Sequence, residues 1–127
     1  MSLKDRFANH SDTPAEQPQP EEQKSVELYD TAGHARNICF VQESGVLIFL
    51  NYAYLISGIF YPDTSTINLV FTTSIVEIRG GNLNDLYLSL LSHEVRFIKE
   101  TNKRYKSFMS AEDVFIDTIT INNKENQ

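Results

Sequence analysis

The chain is short of residues that staple a fold or cradle a ligand. A single cysteine, Cys39, excludes an intramolecular disulfide and a cysteine-based zinc site, so the fold must stand on its own core. Among five glycines there is no GxGxxG sequence, and no lysine follows the Gly80-Gly81 pair, so the glycine-loop signatures of nucleotide binding are missing. Three histidines, His10, His34 and His93, are too scattered to make a metal site by spacing. The longest apolar run, Val46 to Tyr61, is interrupted by Asn51, Ser57 and Gly58 and falls short of the ~20 residues of a membrane helix. Met1 to Pro20 contains no apolar core of the kind a signal peptide needs. The expected compartment is the cytoplasm, with which one free thiol agrees.

Positive charge is also scarce. The formal net charge of -6 argues against a general nucleic-acid coat or a binder of anionic membranes, both of which need widespread positive potential. Up to Asp30 there are seven acids against Lys4, Arg6 and Lys24, which carries four of the six net negative charges. That stretch also holds Pro14, Pro18 and Pro20 and has little to bury beyond Leu3 and Phe7. Residues 1–24 are therefore expected to be a disordered acidic tail, 25–122 a single globular domain and 123–127 a frayed end. No segment repeats at a fixed period, which excludes a solenoid or propeller.

From Asn37 onward, short β-branched and aromatic runs alternate with turn residues. Ile38 to Gln42 and Val46 to Leu50 flank Glu43-Ser44-Gly45 and should pair as a hairpin. Tyr54 to Tyr61 is the next strand, ended by Pro62-Asp63-Thr64-Ser65-Thr66. A strand then carries Ile67, Leu69 and Phe71 on one face and Asn68 and Thr72 on the other. Ser74 to Arg79 follows, with Val76 and Ile78 opposed to Glu77 and Arg79, and Gly80-Gly81 is expected to stop it. Val46 to Leu50 is apolar on both faces, which suits either the centre of a two-layer structure or a subunit interface.

Asn82 is placed to cap a helix, with Asp85 in the first turn. Leu83, Leu86, Tyr87, Leu90 and Leu91 then form one apolar stripe at helical spacing, predicting an amphipathic helix at about 83–93. Val95 to Ile98 fits either period and is read as a strand. Residues 101–113 form a polar connection, and Val114 to Ile121 is the closing strand. The whole is an α+β domain: an antiparallel β-meander of five to seven strands, as a bent sheet or partial barrel, with one helix.

None of the reactive groups forms a catalytic set. His93 lies at the helix end, where a dipole favours it, and His34 has no orienting partner nearby in sequence. Cys39 alternates with Ile38 and Phe40 in a strand and reads as a small hydrophobe. The Glu112-Asp113 pair lies in a loop with nothing to set its pKa values apart. The expectation is a non-enzymatic protein without cofactor or metal.

Gly58-Ile59-Phe60-Tyr61-Pro62-Asp63 through Ile67-Asn68-Leu69-Val70 resembles the first signature of Sm-like RNA-binding proteins, and Ile78-Arg79-Gly80-Gly81-Asn82-Leu83 resembles the second. The resemblance implies RNA contacts at Asn68 and Arg79. It departs from the family in the short spacing between those residues, in the helix after the second motif and in the lack of one before the first strand. The departures leave Sm-like RNA binding outside the reading adopted from the sequence.

The charge distribution gives one positive lead. Arg96, Lys99, Lys103, Arg104 and Lys106 cluster with Phe97, Tyr105 and Phe108, opposed within the run only by Glu100. Such a segment can hold a phosphate backbone and stack bases, or simply be a solvated surface. The leading expectation is a small domain acting through protein-protein interaction or self-association, supported by the two-sided strand and by Phe49, Tyr52, Tyr54, Phe60 and Tyr61. The alternative is nucleic-acid or anionic-ligand binding through 96–106, with Arg96, Lys99, Lys103, Arg104, Tyr105 and Lys106 as the contacting residues.

Overall fold

Local sequence pattern builds two four-stranded sheets that share one core. The computed structural model describes residues 25–29, 35–106 and 108–124, with only the backbone of Lys106; the expected tail 1–24, His10 and His34 lie outside the described residues. In chain order come β1 (Val26–Leu28), β2 (Asn37–Val41), β3 (Leu47–Asn51), a 3-10 turn (Tyr52–Tyr54), β4 (Leu55–Tyr61), β5 (Thr66–Phe71) and β6 (Ser74–Gly81). Then follow α1 (Asn84–Leu91), β7 (Val95–Lys99), α2 (Lys103–Lys106) and β8 (Phe115–Asn123). The first sheet has the order β1-β7-β2-β3 and the second β4-β5-β6-β8. This is an α+β fold with a meander at its centre.

The hairpins form where the sequence places them. Gly45 takes the turn between β2 and β3 at φ 100°, a conformation that a side chain would strain. The β4–β5 turn is closed by the Ser65 N–H donating to the Pro62 carbonyl at 3.2 Å. Ile67, Leu69 and Phe71 point inward as the alternation requires, against Val76 and Ile78 of β6. Ile38 and Phe40 of β2 and Val95 and Ile98 of β7 supply the facing layer, all fully buried.

Several expectations change. The three-residue β1 is the strand that the sequence hides, and β7 inserts between β1 and β2, pairing parallel with β2. Gly80-Gly81 does not stop β6: both residues stay in the strand, opposite Ile116 and Phe115, because the β8 backbone and the Phe115 ring occupy the space of their missing side chains. Asn82 is not the helix cap. It sits at φ 58°, and its side-chain amide donates to the Ala111 and Asp113 carbonyls, so it ties the β6–α1 turn to the β8 approach while Leu83 precedes the helix.

The helix ends at Leu91, and that residue is 70 % exposed rather than part of the buried stripe. Part of the polar connection forms the short helix α2. At the far end, β8 runs through Asn123 and the Lys124 N–H bonds the Thr73 carbonyl, so the chain is held through Lys124. Residues 125–127 lie outside the described residues.

Tyr52 joins the 3-10 turn to the core. It is buried, its ring stacks on His93 at 4.4 Å, and its hydroxyl donates to the Val95 carbonyl at 2.7 Å. Burial pushes its phenol well above the usual tyrosine value of 10. The folded form therefore keeps the proton when the unfolded chain begins to lose it, so this contribution is intact below pH ~10 and falls as pH rises beyond it. Tyr52→Phe should cost about 1–3 kcal/mol at neutral pH by stranding the Val95 carbonyl. Denaturant titrations from pH 7 to 11 should also show a shallower alkaline decline in the variant; equal slopes would refute the burial.

Candidate functional site

Two surfaces stand out, one apolar and one basic. The apolar one follows from strand register. In β3, Ile48 and Leu50 turn toward the core, which leaves Leu47 and Phe49 66 % and 68 % exposed on the other face. Cross-strand pairing aligns Phe49 with Cys39 and Phe97, and Leu47 with Val41 and Lys99, so the outer face of the first sheet carries an apolar row inward from its edge. The next residues continue the exposure: Tyr54 in the 3-10 turn, then Ile56, Ile59 and Tyr61 on β4.

β3 is thus apolar on both faces because one covers the core and the other is uncovered. It is an edge strand, not the centre of a two-layer structure. Both β3 and β4 lie at sheet edges, and no charged residue stands between Glu43 and Asp63. Of the aromatic residues singled out from the sequence, Phe49, Tyr54 and Tyr61 are exposed, whereas Tyr52 is buried and Phe60 packs against Tyr87.

The basic residues occupy two different elements. Arg96, which the β1–β7 register skips, pairs with Glu27 at 3.4 Å and lies 5.7 Å from the centre of the Phe97 ring. Lys99 is exposed at the end of β7. Lys103 and Arg104 are exposed on α2, where the Asn102 side chain accepts from the Arg104 N–H at 2.9 Å, and Tyr105 is half-buried. Between the two groups Glu100 turns away: its carboxylate accepts from the Glu43 and Ile119 N–H groups, both at 2.7 Å.

A shallow cleft of about 390 Å³ lies on the outer face of the first sheet, between Arg36 and Arg96 and above Cys39 and Phe97. Burial raises the Cys39 thiol pKa and so favours the protonated form over the thiolate. That Arg36 and Arg96 flank one cleft had no signal in the sequence, since it depends on β7 lying next to β2. No group of three metal-ligating side chains occurs among the described residues.

Asn68 and Arg79 both stand on the outer face of the second sheet, where Arg79 pairs with Glu77 at 2.6 Å and the Asn68 side-chain oxygen is buried without a partner. No helix among the described residues is long and apolar enough to cross a membrane. Compared with protein-family models, curated proteins and solved structures, the chain finds no match.

Proposed function

We propose that this protein is a non-enzymatic binding domain that associates with copies of itself through the apolar strip of β3, the 3-10 turn and β4. The exposure of Leu47 and Phe49 on an edge strand that also faces the core carries the reading. Large apolar side chains grouped in this way, with charge excluded from the centre, are the composition of an interface core. The clusters of titratable groups that a reaction would need are not what this surface offers.

Light scattering on the full chain should report a mass above that of one copy. Phe49→Asp and Ile56→Asp should each shift it toward the monomer while the circular dichroism spectrum stays that of the folded chain, because both side chains face outward. A wild-type chain that stays monomeric across the accessible concentrations would sink the proposal.

The inward turn of Glu100 supports a second reading, an anionic ligand or nucleic acid held by Lys99, Lys103 and Arg104 with Arg96 and Lys106. That carboxylate is engaged by two backbone donors, and neither Lys99 nor Lys103 forms an ion pair with it. On this reading, changing Lys103, Arg104 and Lys106 together to alanine should leave stability within about 0.5 kcal/mol. Affinity for single-stranded RNA and its salt dependence should both fall. Binding that persists undiminished would exclude the basic segment.

A further inference from the structure

A sheet edge invites pairing unless something blocks it, and three of the four edges here are blocked. β1 is three residues long, bulged at Glu27/Leu28, and carries the Glu27–Arg96 ion pair. β4 is bulged between Leu55 and Ser57, and the Tyr87 hydroxyl from α1 donates to its Gly58 carbonyl at 3.0 Å. β8 carries Asp117, and its backbone is occupied by residues that directly follow β2 and β7: Gln42 donates to the Ile119 carbonyl, Glu100 accepts from the Ile119 N–H, and the Thr101 N–H donates to the Ile116 carbonyl.

β3 has none of these devices. Its register against β2 runs unbroken from Asn37↔Asn51 to Val41↔Leu47, and it contains no proline and no charge. Its other side pairs with no strand of the described residues.

We infer that β3 pairs edge to edge with β3 of a second copy, joining the two first sheets into one continuous sheet. This rests on the self-association read from the apolar strip and adds how the copies meet. A two-fold axis relates a strand to itself in the antiparallel sense, so one edge supplies both halves of the ladder. Charge selects this place. Each copy carries a net charge of -6, and two such copies approach with least repulsion where neither presents a charged side chain, which is the stretch between Glu43 and Asp63.

Phe49 and Leu47 of each copy then flank the seam on the outer face.

Hydrogen exchange of the full-length chain, followed by mass spectrometry at low and high protein concentration, tests the pairing. Amides within Leu47–Asn51 should exchange about tenfold more slowly at high concentration, while those of Leu55–Tyr61 stay unchanged. A nitroxide on the single cysteine, Cys39, provides a distance check. It lies one strand in from the seam, so two labels are separated by three strand spacings of ~4.8 Å and should broaden each other's spectra.

A dimer whose slowed amides fall on β4, or whose labels show no broadening, would overturn edge pairing while leaving the strip as the contact surface. A chain that remains monomeric by light scattering, with no concentration dependence of exchange, would overturn both.

Discussion

Gly80→Ala should destabilise the protein by about 3 kcal/mol or more, at the upper end of the cost of overpacking a core. A methyl at this position would overlap the Phe115 carbonyl oxygen and crowd the Ile116 Cα, both backbone atoms of the neighbouring strand. Backbone cannot rotate away as a side chain can, so the strain can be relieved only by prising β8 from β6. These two strands share the longest antiparallel register in the fold, from Ser74↔Asn123 to Gly81↔Phe115.

Gly81→Ala meets the Phe115 ring instead, which can turn at a lower cost. Gly58→Ala finds only ordinary contacts, at 3.4 Å to Leu69 and 3.7 Å to Tyr87, and should be near neutral. Thermal unfolding of the three variants should therefore rank Gly80 far below Gly81, and Gly81 below Gly58. Equal losses at Gly80 and Gly58 would mean that β8 does not approach Gly80 closely enough to exclude a methyl group.

The glycine pair also shows where sequence reading ends. Two consecutive glycines look like a strand terminator because they lack side chains to pack. Here they are required by the close approach of β8, from a region more than thirty residues onward in the chain. The parallel β2–β7 pair is hidden for the same reason, since parallel partners are joined by a long crossover and leave no local trace.

What was local was legible. The β2–β3 and β4–β5 hairpins, the alternation in β5 and β6, and the strand after the helix all follow from turn residues and period-two burial. The candidate surface was half legible. The apolar pattern on both faces of residues 46–50 is local, but that β3 is an edge strand with one face uncovered depends on the order of strands distant in sequence. The basic run was visible as composition, but not its division between β7 and α2, nor the turning away of Glu100.

Neighbouring leucines in α1 give the sharpest comparison of pattern with packing. Leu90 is 2 % exposed and Leu91 70 %, although both belong to the stripe that predicted the helix. At 3.6 residues per turn, Leu83, Leu86 and Leu90 cluster at the middle of the stripe, Tyr87 lies at its side over β4, and Leu91 falls about 40° beyond Tyr87. Tyr87 is held to β4 by its hydroxyl bond to the Gly58 carbonyl, and Leu91, one step further round the helix, is left exposed.

Leu90→Ala should therefore cost about 2–5 kcal/mol, combining lost burial with a cavity between the sheets. Leu91→Ala should change stability by less than about 0.5 kcal/mol, as surface substitutions do. Chemical denaturation of the two variants reads the difference directly, with the midpoint displaced for Leu90→Ala and the slope unchanged. If both variants lost several kcal/mol, Leu91 would be covered in solution. Coverage that appears only at high protein concentration would add α1 to the surface on which copies meet.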